Sequence, residues 1–196
     1  MLHASLALMI TLFFLPVLAM VAVAVFAQDR GPVIFAHTRI GRNGQLFRCY
    51  KFRSMRVDAE ARLSEVLQAD PAAREEWARS HKLRCDPRVT PLGDFLRRSS
   101  LDELPQFFNV IRGEMSLVGP RPIVEAERVR YGRRFQAYCA VKPGITGLWQ
   151  VCGRNDITYR ARVALDAYYA RKKSPALDLY ILLMTVPCVL RSRGSY

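Results

Sequence analysis

Two adjacent carboxylates, Asp102 and Glu103, stand in a stretch of the chain that is otherwise rich in arginine. A carboxylate whose unperturbed pKa is about 3.9 is ionised at neutral pH and can act as a nucleophile, provided that cations screen it from an anionic substrate. Neighbouring residues of a helix do not face each other, so the two carboxylates are expected to have different roles. Arginine side chains and a divalent metal ion could supply the screening. The flanking cations are Arg97, Arg98, Arg112 and Arg121.

The residues around the pair predict a helix start that could also receive a phosphate. Ser100 and Glu103 fit a capping box, and the free N–H groups of a helix start favour anions. Pro105 would cost such a helix a hydrogen bond, so either its first turn is distorted or the helix begins later. Arg121 lies between two prolines, whose fixed φ angles suit presentation of a guanidinium to a phosphate; a stiff loop is the structural alternative.

Composition points to an anionic partner and to membrane contact. A chain of 196 residues has room for one domain with a sizeable core. Its 30 basic and 17 acidic residues give a net charge of +13, which suits nucleic acid, anionic lipid or nucleotide phosphate without choosing among them. The hydrophobic content of 51% is slightly high for a soluble chain. Five scattered cysteines without a Cys-x-x-Cys pair indicate neither a disulfide framework nor a zinc site, and favour a reducing compartment.

The first 27 residues contain no Asp, Glu, Lys or Arg and are long enough to reach across a bilayer core, which needs about 20 helical residues. A cleaved signal peptide is disfavoured because no basic residue precedes the apolar run. A spanning helix would leave the basic remainder on the inner side. A helix broken at Pro16 could instead enter and leave by the same face. The residues alone leave these last two alternatives open.

The remaining elements define an α+β fold that is mainly helical with a small β-hairpin. The hairpin covers residues 32–53 with a turn at 41–44, and alternation places Lys51 and Arg53 on one face. Residues 58–83 predict two helical pieces separated at Pro71. A short helix is predicted from Thr90-Pro91, and an arginine-rich helical segment over 122–138 could face phospholipid headgroups. A loop is predicted over 142–155. An amphipathic helix over 159–172 and an apolar helix over 176–190 follow, and the second is too short to span a bilayer.

Three long motifs resemble one known family. KFRSM, SLDELPQFFNVIRGEMSLVGPRP and KPGITGLWQVCGRND occur in this order. With the surrounding chain from Gly31 to Tyr196 they resemble the bacterial sugar transferases, the monotopic phosphoglycosyl transferases. The resemblance favours re-entry of the N-terminal helix and implies a membrane-inserted segment over 1–28 and an interfacial catalytic domain over 29–196. The chain departs from the family pattern in having Leu15 where a Ser precedes the proline, and in lacking a basic amphipathic lead.

The resemblance implies transfer of a sugar 1-phosphate from a UDP-sugar to undecaprenyl phosphate, with release of UMP, at the cytoplasmic face of a bacterial inner membrane. The C-terminal residues RSRGSY resemble the tail of exopolysaccharide-initiating members, which implies UDP-galactose or UDP-glucose as the donor. Asp102 would attack the phosphate that bears the sugar and contact Mg²⁺, and Glu103 would help to position the metal ion or the acceptor. The residues that would hold phosphate or line the nucleotide-sugar site are Lys51, Arg53, Arg97, Arg121 and Arg154.

An alternative from another class is a membrane-tethered basic module that binds nucleic acid or an anionic partner without catalysis. Such a module should show interleaved aromatic residues or a recognised nucleic-acid motif, and the sequence has neither, so we expect no nucleic-acid partner. Chelation of metal by EDTA should abolish the enzyme's activity, whereas binding to a phosphate backbone should fall steeply with salt.

Overall fold

The computed structural model describes residues 2–80, 83, 85–153 and 157–190. Fifteen α-helices and β-strands are found there, besides short 3₁₀ turns: α1 Leu2–Phe13, α2 Leu15–Asp29, β1 Ile34–Ile40, β2 Leu46–Phe52, α3 Ala59–Ala69, α4 Pro71–Ser80, α5 Pro91–Ser99, α6 Gln106–Ile111, β3 Ser116–Val118, α7 Arg128–Tyr131, α8 Phe135–Cys139, β4 Gly144–Thr146, α9 Leu148–Cys152, α10 Tyr159–Lys172 and α11 Pro175–Leu190. The described part is mainly helical, as the sequence predicts.

The predicted β-hairpin is confirmed. Strands β1 and β2 pair antiparallel from Ile34 opposite Phe52 to Ile40 opposite Leu46. The turn between them contains Asn43 and Gly44, whose positive φ angles of 58° and 75° are readily adopted by these two residue types. The hairpin forms one of two small sheets.

One strand of the second sheet, β4, lies where the sequence predicted a loop. Strand β4 pairs in parallel with β3, and the short helix α9 follows it. The prediction of a loop over 142–155 is therefore wrong for Gly144–Thr146 and Leu148–Cys152. Three-residue strands are too short to show a period of two, so pairing with a distant segment is what makes them strands.

The N-terminal apolar segment forms two helices that meet at 64°. The break lies at Phe14, and Pro16 occupies the first turn of α2, where its missing N–H costs little. No single helix in the described part is long and apolar enough to cross a bilayer; the bent pair passes that test only together, by length and composition.

Both N-terminal helices pack on the rest of the chain. Ala7 of α1 is fully buried in the same cluster as Leu117 of β3 and Ile181 of α11. In α2, Val25 is fully buried beside Phe52 and Leu96. The opposite sides expose large apolar residues, among them Leu12, Phe13, Met20 and Val23 of the N-terminal pair and Leu183 and Val186 of α11.

Candidate active site

The carboxylate pair lies in the turn that connects α5 to α6. Thr90 caps α5 by accepting a hydrogen bond from the Gly93 N–H at 2.9 Å. Gly93 approaches the carbonyl of Ser54 so closely that a Cβ would overlap it, so the absence of a side chain allows α5 to pack on the end of the hairpin. Helix α5 thereby delivers the pair to the strand that carries Lys51.

The predicted capping box is wrong. Ser100 has a φ of 58°, in the left-handed region, and its side chain makes no capping hydrogen bond. Leu101–Glu103 form a single 3₁₀ turn, and α6 begins only at Gln106, after Pro105. The expected distortion of the first turn and the later helix start are both found. Because α6 has only six residues, the site has no long helix whose N-terminus could hold a phosphate.

Lys51 bridges the two carboxylates. Its Nζ lies 2.6 Å from Oε1 of Glu103 and 3.7 Å from Oδ2 of Asp102. Nη1 of Arg121 lies 3.8 Å from the same Glu103 oxygen. The structure thus brings Lys51 to two carboxylates that lie more than 50 positions further along the chain. Its ammonium group is within ion-pairing distance of both.

The two carboxyl groups are electrostatically different. Burial, together with the nearby charge of Glu103, raises the pKa of Asp102 despite the opposing effect of Lys51. Burial would raise the pKa of Glu103 too, but the charges of Lys51 and Arg121 outweigh it and hold that pKa well below its usual value. Environments that shift two neighbouring pKa values apart are typical of residues with separate catalytic roles, in line with the different roles predicted for the pair.

Arg97 belongs to this neighbourhood. Its Nε donates a hydrogen bond to Oγ of Ser54 at 2.9 Å, and its charge favours the ionised form of Asp102. The Pro120-Arg121-Pro122 segment follows β3 and places Arg121 beside Glu103. Both arginines are therefore close enough to act on the carboxylates electrostatically.

Arg39 is a residue that sequence reasoning missed. It lines a small cavity together with Lys51, Glu103 and Arg121, and its Nη1 donates to the carbonyl of Pro122 at 3.3 Å. The signal was present, because the hairpin register places Arg39 on the same face as Lys51. The pairing of Arg39 with the proline-flanked segment depends on tertiary structure.

Arg53 is not directed to the carboxylate pair. It lies beyond the end of β2, and both of its terminal nitrogens contact the carboxylate of Asp29, with Nη1 2.9 Å from Oδ2. Its Nη2 also donates to the carbonyl of Val25 at 3.4 Å. Through these contacts the buried guanidinium attaches the end of α2 to the hairpin, and the phosphate-binding role of Arg53 stays a prediction. Arg154, also predicted to bind phosphate, lies outside the described residues.

Asn109 is a second residue that the sequence did not reveal. Its side chain is fully buried, accepts a hydrogen bond from the backbone N–H of Tyr50 at 3.1 Å and donates one to the carbonyl of Arg48 at 2.7 Å. These bonds join α6 to β2 and so fix the distance between the carboxylate pair and Lys51.

Trp149, which lies in the third of the family motifs, is packed in the core. It is 5% exposed, and the guanidinium carbon of Arg162 lies 4.7 Å from its ring centroid. Its burial and this contact indicate a packing role for Trp149.

The carboxylates of Asp102 and Glu103 suit a Mg²⁺ site that a substrate completes. Among the described residues, no group of three His, Cys, Asp or Glu side chains could hold a metal ion. Mg²⁺ is commonly held by one or two carboxylates together with substrate phosphates, so Asp102, with Glu103 beside it, fits a shared site of that kind.

A buried nucleophile candidate, an adjacent anchored carboxylate and converging cations are typical of transferases that act on phosphate-bearing substrates. Comparison with known proteins agrees: the chain belongs to the bacterial sugar transferase family, which matches it over residues 1–192.

The relatives are named for sugar transfer to lipid carriers and for exopolysaccharide production. The UDP-galactose-lipid carrier transferase of Erwinia amylovora is 50% identical over 190 residues, which cover 97% of this chain and 40% of the relative. The undecaprenyl-phosphate galactose phosphotransferase of Salmonella typhimurium is 52% identical over 169 residues, covering 86% and 36%. The exopolysaccharide production protein ExoY of Sinorhizobium fredii is 49% identical over 181 residues, covering 92% and 80%. The chain therefore spans about two fifths of the first two relatives and four fifths of the third.

Proposed function

We propose that this chain transfers a sugar 1-phosphate from a UDP-sugar to undecaprenyl phosphate and releases UMP, as the first step of exopolysaccharide or other lipid-linked glycan synthesis. The observation that carries the proposal is the carboxylate pair joined by Lys51: burial raises the pKa of Asp102, while the charges of Lys51 and Arg121 keep Glu103 ionised. The names of the two galactose-transferring relatives favour UDP-galactose as donor, with UDP-glucose as the alternative.

The reaction proceeds in two displacements. A carboxylate oxygen of Asp102 attacks the phosphorus that bears the sugar, the bond from that phosphorus to the bridging oxygen breaks, and UMP leaves with the electron pair. A phosphate oxygen of undecaprenyl phosphate then attacks the same phosphorus and frees the Asp102 carboxylate. The raised pKa of Asp102 makes its ionised form a stronger nucleophile than an exposed carboxylate.

The cations around Asp102 hold the phosphate oxygens. Lys51, Arg97 and Arg121 converge on the carboxylate pair and stabilise the charge that develops as the phosphoryl group moves. Glu103 keeps Lys51 in place through its 2.6 Å contact. Mg²⁺ held by Asp102 and the diphosphate would neutralise the leaving group when bound.

The bent helix pair α1–α2 suits a re-entrant membrane insertion. Its exposed side chains are apolar, its other side packs on the domain, and the break near Pro16 lets the chain return to the face it entered. We place the domain at the cytoplasmic face, in contact with phospholipid, because one substrate is soluble and the other carries its phosphate at headgroup depth. In this proposal the basic surface serves phosphate groups and not nucleic acid.

The test is intact-mass analysis of the purified chain in detergent, incubated with Mg²⁺ and a panel of UDP-sugars without lipid. We expect a phosphosugar adduct with one sugar, and none with Asp102→Asn. Asp94→Asn is the matched control, because Asp94 pairs with the exposed Arg98 at 2.6 Å on α5 and should leave the adduct unchanged.

The second stage adds undecaprenyl phosphate and measures UMP. UMP release without any adduct would refute the covalent step and leave a direct transfer between the two substrates. Absence of both adduct and UMP, with every sugar, would overturn the proposed function.

A further inference from the structure

A basic surface depression of about 630 Å³ lies between the segment 130–134 and the first turns of α10. Its volume falls in the range of small-molecule sites, about 300–1,000 Å³. It shares no lining residue with the cavity beside Glu103. Four exposed arginines line it: Arg130, Arg133, Arg134 and Arg160.

The backbone at Gly132 brings these arginines to one place. Gly132 has a φ of 47° and ψ of −129°, a conformation that side-chain-bearing residues rarely adopt. The chain changes direction there, so Arg130 on one side of the glycine and Arg133 and Arg134 on the other line the same depression. The cluster is thus formed by a local feature of the fold and not by sequence proximity alone.

One of these arginines is held in position by an aromatic ring. The guanidinium carbon of Arg130 lies 4.8 Å from the ring centroid of Tyr159, and the Tyr159 hydroxyl donates to Oε1 of Glu127 at 3.2 Å. A guanidinium that stacks through its face keeps the N–H groups along its edge available for an anion.

Three nearby carboxylates that the structure describes are engaged with other partners. Glu125 pairs with Arg128 at 3.0 Å, Glu127 accepts from the Val124 N–H and from Tyr159, and Asp166 is buried against the hydroxyl of Tyr131. Within the part of the chain that the structure describes, none of the four lining arginines has a carboxylate within ion-pairing distance. Like charges brought together in this way repel each other, and a bound anion would relieve the repulsion.

We propose that this depression is a second anion-binding site, separate from the carboxylate pair, that takes a phosphate-bearing group through Arg130, Arg133, Arg134 and Arg160. The phosphate could belong to a lipid headgroup or to a soluble molecule, and both present the same oxygens to the guanidinium edges. The inference does not depend on the proposed transferase reaction, because none of these residues contacts the carboxylate pair.

The test compares the full chain with a triple variant, Arg130→Gln/Arg133→Gln/Arg134→Gln. The matched control is Arg171→Gln/Lys172→Gln/Lys173→Gln, which removes the same charge at the other end of α10. One arm measures binding to phosphatidylcholine vesicles with and without phosphatidylglycerol. The other arm titrates inorganic pyrophosphate into each protein in detergent, with Lys51→Met added to all three proteins to weaken binding at the carboxylate pair.

If the ligand is a membrane lipid, the triple variant should lose about fivefold of its preference for phosphatidylglycerol for each arginine removed, which is the effect of one basic side chain near an anionic surface. The control variant should keep most of this preference. A soluble ligand predicts instead that pyrophosphate binding is lost in the triple variant and kept in the control. Equal behaviour of the triple variant and the control in both arms would overturn the proposal. Far-UV circular dichroism of the variants verifies that each is folded.

Discussion

Replacing Lys51 by methionine removes the ammonium group between two carboxylates while keeping a long unbranched side chain. In the wild-type protein this group lies 2.6 Å from Glu103 and 3.7 Å from Asp102. In Lys51→Met the two neighbouring carboxylates would repel each other. Among the described residues, the cation that would still form an ion pair with Glu103 is Arg121, at 3.8 Å. The pKa of Glu103 should therefore rise toward its ordinary value.

Two magnitudes follow from this geometry. Loss of one group that stabilises transition-state charge in a water-poor site lowers kcat by about 10²–10³-fold. Removing one partner of a fully buried ion pair costs about 3–5 kcal/mol, but the Lys51 and Glu103 side chains are 26% and 21% exposed, so solvent screening reduces the expected loss to about 1–2 kcal/mol.

The stability loss should depend on pH. Because the folded-state pKa of Glu103 is lowered, its contribution is present above the unfolded pKa of about 4.3 and is lost as the pH falls through the folded-state pKa. The wild-type and Lys51→Met proteins should thus differ fully at pH 7 and converge on acidification.

The assays are UMP release with saturating UDP-sugar and undecaprenyl phosphate, and urea unfolding at pH 7 and at acidic pH. Lys51→Arg keeps the charge and should retain more activity than Lys51→Met. Arg48→Met removes a cation from the opposite face of β2 and should leave the rate close to that of the wild type. A wild-type rate for Lys51→Met, or an equal loss in Arg48→Met, would refute the assigned role of Lys51.

Two further predictions concern residues outside the reacting pair. Arg53→Met should lower the free energy of unfolding by about 2 kcal/mol, since the Arg53 side chain is 8% exposed and attaches α2 through Asp29, while the KM for UDP-sugar stays unchanged. An increased KM at unchanged stability would instead support the predicted phosphate-binding role of Arg53. Arg56→Met, which loses an exposed pair with Asp58, is the control. Burial raises the pKa of Asp166 to about 7, so the folded state favours its protonated form and stability should fall as the pH rises from about 4 to about 7. Asp166→Asn should remove that pH dependence. At pH 8 its free energy of unfolding should exceed that of the wild type by up to about 4 kcal/mol, because each unit of pKa shift corresponds to about 1.4 kcal/mol. An unchanged pH profile in urea unfolding would show that Asp166 is ionised in the folded protein.

Several features could be predicted from local sequence because their causes are local. The Asn-Gly turn, the break between α3 and α4 at Pro71, the threonine cap of α5 and the bounds of α10 each depend on residues within a few positions of one another. The carboxylate pair and Arg121 were predicted for the same reason: their residue types and spacing are visible in one stretch of the chain.

Ser100 shows the limit of such patterns. Its spacing to Glu103 satisfies a capping box, but packing of α5 on the hairpin places Ser100 in the left-handed region, and the carboxylates project from a 3₁₀ turn. Tertiary contacts outweigh a local preference that is worth only about 1 kcal/mol.

The amino-acid sequence by itself determined the mainly helical fold, the hairpin and the residues able to do the chemistry. Only the tertiary structure decided which cations reach the carboxylates: Lys51 reaches both, Arg39 lines the same cavity, and Arg53 is held by Asp29. Strand alternation gives the face on which a side chain lies but not the partner that packs there, because partners from α2 or from the segment after β3 are brought close only when the whole chain folds.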